Sequence, residues 1–187
     1  PVAQTLADVG LHRVTISLDS LDEEIFRHMS GGRGDLGRVL EGIEAARQAG
    51  LTPVKINVVV QRGINDHTVL DLLDHFRGTD HIVRLIEFMD VGNRNGWRLD
   101  QVVPSRHLFE QVQKHWPLRR IDQNYPGEVA HRYEYVDGGG EIGFISSVTE
   151  PFCGGCSRAR LSADGVLYTC LFANQGTDLR ESLRNDA

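Results

Sequence analysis

Cysteine is almost missing from this chain: three of 187 residues, all between positions 153 and 170. So small and odd a number argues against the disulfide framework of a secreted domain and for metal ligation in a reducing cytoplasm. No run approaches the roughly 20 apolar residues of a membrane-spanning helix, and no signal peptide opens the sequence, so no membrane association is expected. Basic residues are outnumbered, 20 Lys and Arg against 26 Asp and Glu. The resulting charge of −6 argues against general nucleic-acid binding, which needs a basic footprint. Internal repeats and low-complexity segments are also lacking. The opening Pro1-Val2-Ala3-Gln4-Thr5-Leu6 reads as the middle of a fold rather than a natural start. What remains is ordinary for a soluble globular protein, 40% hydrophobic and 25% charged, and long enough to bury a proper core.

From the start to about residue 92 the pattern alternates strand with helix. Arg13 to Asp19 has period two, with Val14, Ile16 and Leu18 on one face. Ser20-Leu21-Asp22-Glu23 has the spacing of a capping box opening a helix that runs to Met29. The Gly-rich loop Ser30-Gly31-Gly32-Arg33-Gly34 lacks the order of a nucleotide fingerprint and reads as a connection. Val39, Leu40, Ile43, Ala46 and Ala49 fall at helical spacing before a terminating Gly50. A second strand, Val54 to Val60, sets Val54, Ile56 and Val58 opposite Lys55 and Asn57. Asn65 is placed to cap a helix bearing Val69, Leu70, Leu72, Leu73 and Phe76, and a third strand runs from Ile82 to Met89.

Strand, helix, strand, helix, strand predicts an α/β fold with a parallel sheet. A doubly wound sheet would bury both strand faces, yet these strands are apolar on one side only. A half-open or complete barrel accounts for that, with helices outside and polar residues lining a lumen; a mixed sheet with one wet face is the plainer alternative. Ser17, Lys55 and Met89 fall at the inward faces or C-terminal ends where barrel enzymes keep their active sites. Lys55, set among valines on an inner wall, is costly unless an anion meets it. Glu87 and Met89 share a face of the third strand and are a candidate cofactor contact, with packing the commoner outcome.

The second half changes character. Asn93-Arg94-Asn95-Gly96-Trp97 is loop-like, and Pro104 to His115 has an amphipathic helix pattern with Leu108, Phe109 and Val112 inward. Trp97 and Trp116 read as packing anchors. Glu128 to Val136 and Glu141 to Ser147 form a β-pair around Asp137-Gly138-Gly139-Gly140. Two units are therefore expected, residues 1–92 and residues 93–187.

Cys153-Gly154-Gly155-Cys156 is followed by a strand from Arg158 to Ser162, a turn at Ala163-Asp164-Gly165 and a returning strand that ends at Cys170. Three thiolates are one too few for a closed tetrahedral site, and no histidine follows residue 131. Structural zinc, a three-thiolate iron–sulfur cluster and a redox pair all remain open on spacing alone, since thiolates favour both metals. Arg158 and Arg160, two apart on a strand, would share a face beside the thiols and suit phosphate oxygens or a purine edge, although a solvated strand face would place them so too.

Several stretches resemble the radical S-adenosylmethionine GTP 3′,8-cyclase family of molybdenum cofactor biosynthesis. They are Gly10 to Leu21, Val54 to Val59, Arg84 to Met89, Gly143 to Ser147 and, most specifically, Pro151-Phe152-Cys153-Gly154-Gly155-Cys156-Ser157-Arg158-Ala159-Arg160-Leu161 with Cys170-Leu171-Phe172. The resemblance implies the later part of an incomplete (β/α) radical SAM barrel plus a small α+β cluster-binding extension. It implies a lyase that converts GTP to (8S)-3′,8-cyclo-7,8-dihydroguanosine 5′-triphosphate, using a radical generated from S-adenosylmethionine at a [4Fe–4S] cluster on an N-terminal CxxxCxxC. A second [4Fe–4S] cluster, with one open iron for guanine, would sit on Cys153, Cys156 and Cys170. GTP contacts would fall to Lys55, Arg158, Ala159 and Arg160, and S-adenosylmethionine contacts to Ser17 and Met89. The implied partners are GTP, a second copy in a homodimer, and a cyclic pyranopterin monophosphate synthase acting on the product. A peptide-modifying radical enzyme would bring more cysteines; a zinc-stabilised interaction module is the non-catalytic alternative. The chain has no CxxxCxxC, so these 187 residues alone are expected not to cleave S-adenosylmethionine, and the open inner strands predict low stability or self-association.

Overall fold

The computed structural model describes residues 2–91 and 96–185. The expected boundary between residues 92 and 93, and Asn93, Arg94 and Asn95 of the expected loop, lie outside them. Helix α1 (Val2–Asp8) leads into strand β1 (Thr15–Ser17), followed by α2 (Glu23–Met29), α3 (Leu36–Gln48), β2 (Lys55–Val60), α4 (Val69–Phe76) and β3 (Ile82–Glu87). Helix α5 (Ser105–His115), strands β4 (Leu118–Arg120), β5 (His131–Tyr135) and β6 (Glu141–Ile145) come next. A small region closes the chain: β7 (Arg160–Leu161), β8 (Val166–Tyr168), β9 (Thr177–Asp178) and α6 (Leu179–Asn185).

The main sheet has six strands in the order β1-β2-β3-β6-β5-β4. The first four run parallel, and β5 and β4 extend them antiparallel. This mixed α/β architecture bears out the expected partial barrel. The β3–β6 pairing carries the sheet across the expected boundary, so the β-pair of the second half belongs to the same sheet. Among the described residues, β7, β8 and β9 form a separate three-stranded sheet.

The reason for the one-sided strands is visible in β2. Ile56, Val58 and Val60 are fully buried, whereas Lys55, Asn57 and Val59 are half-exposed. The buried face packs under Ile43 and Ala46 of α3, Leu72 and Leu73 of α4, and Leu108 and Val112 of α5. Each such aliphatic side chain contributes about 1.5–3 kcal/mol by leaving water. The opposite face stays open and carries the polar groups.

Two capping expectations are resolved differently. Asp22, not Ser20, caps α2, its carboxylate accepting from the N–H groups of Glu24 and Ile25 at 3.0 Å. Ser20 is buried and engages Thr68 and the Asp22 N–H instead. Asn65 does not cap α4. Fully buried, it accepts from Gln61 N–H and donates to the carbonyls of Asp19 and Val59, pinning the loop after β2. Gly50 does end α3, at φ 75°. Gly31 and Gly32 close α2, with Gly32 N–H donating to the Arg27 carbonyl at 2.8 Å, so that loop is a connection. Trp97 donates to the Phe88 carbonyl, and Trp116 packs edge-on to Tyr135 under the Arg77 guanidinium, both as anchors.

His81 is buried just before β3, and among the described residues its Nε2 has no hydrogen-bond partner. Burial first, then the charge of Arg47 and more weakly His75, hold its ring below the ordinary 6.5 against the pull of Asp80 and Glu44. A depressed histidine destabilises the fold once the unfolded chain protonates. Stability is therefore full above pH 6.5 and declines as the pH falls below it. Melting temperatures at pH 7.5 and 5.5 should differ less in His81→Gln than in the parent; equal slopes would refute the assignment.

Candidate functional site

The open face of the sheet and the cysteine-bearing segment enclose a cleft of ≈ 490 Å³. Its floor is sheet: Asn57 from β2, Arg84 and Ile86 from β3, and Ile145 from β6. Met89, just past β3, lines it as well. Its far wall carries Cys153, Cys156 and Cys170 together with Phe152, Arg158 and Arg160.

Glu87 decides how that wall is hung on the sheet. The chain leaves β3 at this residue, and the carboxylate is fully buried on the helix side. It accepts from Ser105 N–H at 2.7 Å, Val148 N–H and Thr149 N–H at 2.8 Å each, and Thr149 Oγ1 at 2.5 Å. Ser105 is the first residue of α5, whose cap position is Pro104 and offers no acceptor. Glu87 thus supplies the missing negative charge at that helix end. The same carboxylate anchors the strand exit that leads to Cys153. The candidate cofactor contact at Glu87 is overturned: it faces away from the cleft, while Met89 faces into it.

The cysteine segment is a short 3₁₀ turn, Cys153–Gly155, with Cys156 N–H donating to the Cys153 carbonyl at 3.2 Å. Gly127, at φ 84°, lies against it so closely that a Cβ there would stand 3.1 Å from the Gly155 carbonyl oxygen. All three thiols are free and exposed. The Arg158 N–H and then its guanidinium, 3.3 Å from Cys156 Sγ, hold that thiol below its ordinary value. The sulfurs share one wall without meeting at a point. Among the described residues no three His, Cys, Asp or Glu side chains stand close enough to hold a single metal ion.

The strand expected from Arg158 to Ser162 is shorter. Pairing begins at Arg160, opposite Tyr168, so Arg158 and Arg160 do not share a strand face. Arg158 instead lies over the Phe152 ring, 4.7 Å from its centroid. The returning strand ends at Tyr168, leaving Cys170 in the following turn. Ala159 is exposed and outside the cleft lining. Ser17 and Lys55 are also outside the lining, yet both sit on the sheet beside it: Ser17 pairs with Asn57, and Lys55 precedes Asn57 by one alternation on the same face.

Arg84 and Asn57 went unrecognised as site residues. The register places them side by side, and Arg84 Nε donates to Asn57 Oδ1 at 2.9 Å. Burial pulls the Arg84 pKa down, and burial followed by the Arg84 charge does the same to Lys55. Two cations forced together on one wall are a place for an anion. Gly143, opposite Arg84 on β6, leaves room for it, since a Cβ there would meet Arg84 Cγ at 3.2 Å. The signal available in the sequence was the one used for Lys55, a cation in mid-strand.

Residues 81–187 match the Molybdenum Cofactor Synthesis C family. The chain belongs to that family. Residues 1–76 match the Radical SAM superfamily, so the Molybdenum Cofactor Synthesis C region follows directly on a radical SAM portion. Similar proteins named GTP 3′,8-cyclase occur in Xanthomonas axonopodis pv. citri (57% identical over 98% of this chain and 55% of the relative) and Acidothermus cellulolyticus (48%, 98% and 51%). Another from Synechococcus sp. is 44% identical over 98% of this chain and 56% of its own length. The chain spans about half the length of the curated relatives it matches. Among the described residues no helix is long and apolar enough to cross a membrane.

Proposed function

We propose that the chain forms the substrate pocket and the auxiliary-cluster site of a GTP 3′,8-cyclase working in the reducing cytoplasm. The observation that carries this reading is that three free thiols, two arginines and Met89 line one cleft above a cationic strand face. Their chemistry fits a [4Fe–4S] group on Cys153, Cys156 and Cys170. The sulfurs are soft donors on one wall of the cleft, and the lining brings no fourth cysteine or histidine beside them. Such a group, when bound, supplies one iron free to take a heteroatom of the purine.

The chain's own residues do the rest. Arg158 and Arg160 present planar donor forks to the nucleotide, and Ala159 between them, outside the lining, would add only its backbone or a methyl contact. Lys55 and Arg84 crowd each other on the sheet, and a triphosphate entering between them would relieve that repulsion. Met89 gives a thioether contact and Ser17 a hydroxyl, both suited to S-adenosylmethionine. Residues 1–92 would thus serve the S-adenosylmethionine side, and residues 93–187 the cluster and guanine side.

Arg158→Ala and Arg160→Ala should each weaken GTP binding to the reconstituted protein about tenfold or more, as expected for losing a charge-assisted hydrogen bond of about 1.5–3 kcal/mol. Equilibrium dialysis measures this, and unchanged affinity in both would reject the nucleotide assignment. The 187-residue polypeptide alone, reconstituted with iron and sulfide and supplied with dithionite and S-adenosylmethionine, should release no 5′-deoxyadenosine. Appreciable product would show that a CxxxCxxC is not needed.

A further inference from the structure

Arg158 is held from two sides. Its guanidinium lies 4.7 Å from the Phe152 ring centroid, and its Nη2 donates to Cys156 Sγ at 3.3 Å. Phe152 itself packs against the small apolar cluster of Ile86, Ala130 and Ile145. No β7 pairing steadies the Arg158 backbone, because that strand begins at Arg160. A flexible arginine loses rotamer freedom when fixed in one place, and a ring beneath the cation offsets that loss.

We propose that Phe152 is a positioning residue: its ring fixes the Arg158 guanidinium on the Cys156 sulfur, so one cation serves both a ligand thiolate and an incoming anion. This rests on the reading that the three cysteines hold a cluster and that the cleft takes a nucleotide. Two consequences follow from the geometry. A cationic donor on a ligand sulfur favours the more negative, reduced cluster and raises its midpoint potential. A guanidinium already in place costs less to engage a phosphate or purine edge. A phenylalanine present only to fill space would do neither, and an aliphatic residue of similar size would replace it.

The test uses the full-length protein, reconstituted anaerobically, with Phe152→Leu, Phe152→Met and Phe152→Trp made alone and in an Arg158→Ala background. Iron content is measured for each, with GTP affinity and the midpoint potential of the cluster that disappears in Cys170→Ser. Phe152→Leu and Phe152→Met should lower the potential and weaken GTP binding about fivefold, within the range of a cation–π contact, at unchanged iron content. Phe152→Trp should keep both at the parent level, and in the Arg158→Ala background no Phe152 substitution should add to the loss. The proposal is overturned if Phe152→Trp is as damaging as Phe152→Met. It is likewise overturned if the Phe152→Met effect persists undiminished without Arg158, or if Arg158→Ala moves both readouts and the aliphatic variants move neither. Should Arg158→Ala and Phe152→Met shift the potential together while GTP affinity stays at the parent value, the positioning role stands and the nucleotide reading falls.

Discussion

Glu87→Ala should cost about 3–5 kcal/mol of folding stability, because each buried donor left without its acceptor costs about 1–3 kcal/mol. Four donors lose their acceptor at once: the N–H groups of Ser105, Val148 and Thr149, and the Thr149 hydroxyl. The damage is also local to function, because Val148 and Thr149 lead directly into the cysteine segment. Chemical denaturation gives the stability, and iron retention after reconstitution gives the local effect. Loss of less than about 1 kcal/mol, the scale of an ordinary surface change, would show that the carboxylate is not the anchor.

A pH signature accompanies this. Burial alone raises the Glu87 carboxyl, but the hydrogen bonds from Thr149, Ser105 and Val148 outweigh it and hold the group below the ordinary 4.5. A carboxyl depressed in the folded state stabilises fully above the unfolded value and loses that contribution as the pH falls through the folded one. Acid unfolding below pH 4.5 should therefore be shallower in Glu87→Gln than in the parent.

The cysteines should behave in the opposite way. Cys153, Cys156 and Cys170 are exposed and belong to no apolar cluster. Cys153→Ser, Cys156→Ser or Cys170→Ser should thus leave the melting temperature of the metal-free protein unchanged, within the roughly 0.5 kcal/mol of a neutral surface substitution. The same substitutions should each abolish cluster assembly and with it GTP binding, because two thiolates do not hold the group that three can. A variant that keeps full iron and full affinity would remove its cysteine from the ligand set. A variant that unfolds without metal would give the thiol a structural role that its exposure contradicts.

Much of this was legible in the residues. The alternation of β2 is readable because helices cover one face only, and Gly50 marks the end of α3 because the chain there needs a positive φ. The three cysteines, Met89 and the arginines were each visible, but only the fold brings Met89 from the end of β3 to the cleft that the others wall. What was hidden depends on the third dimension. Ser20 and Asp22 both had the chemistry of a cap, and only the packing of Ser20 against Thr68 gave the place to Asp22. Asn65 looked like a cap because its side chain turns back to Gln61 and Val59 and reaches across to the distant Asp19 carbonyl, none of which the local pattern shows. Helix α1 carries no buried residue, and β4 and β9 span three and two residues, too few for any period to show. Arg84 looked like one polar residue on a wet strand face until the β2–β3 register set it beside Asn57 and near Lys55.

Iron, acid-labile sulfide and zinc counted per polypeptide, on material purified without oxygen, bear most directly on the whole account. About four irons and four sulfides on the 187-residue chain, with zinc absent, is the outcome that an open-cornered cluster requires. One zinc without sulfide, or a native Cys153–Cys156 bridge under reducing conditions, would leave the cleft with no centre to receive a purine.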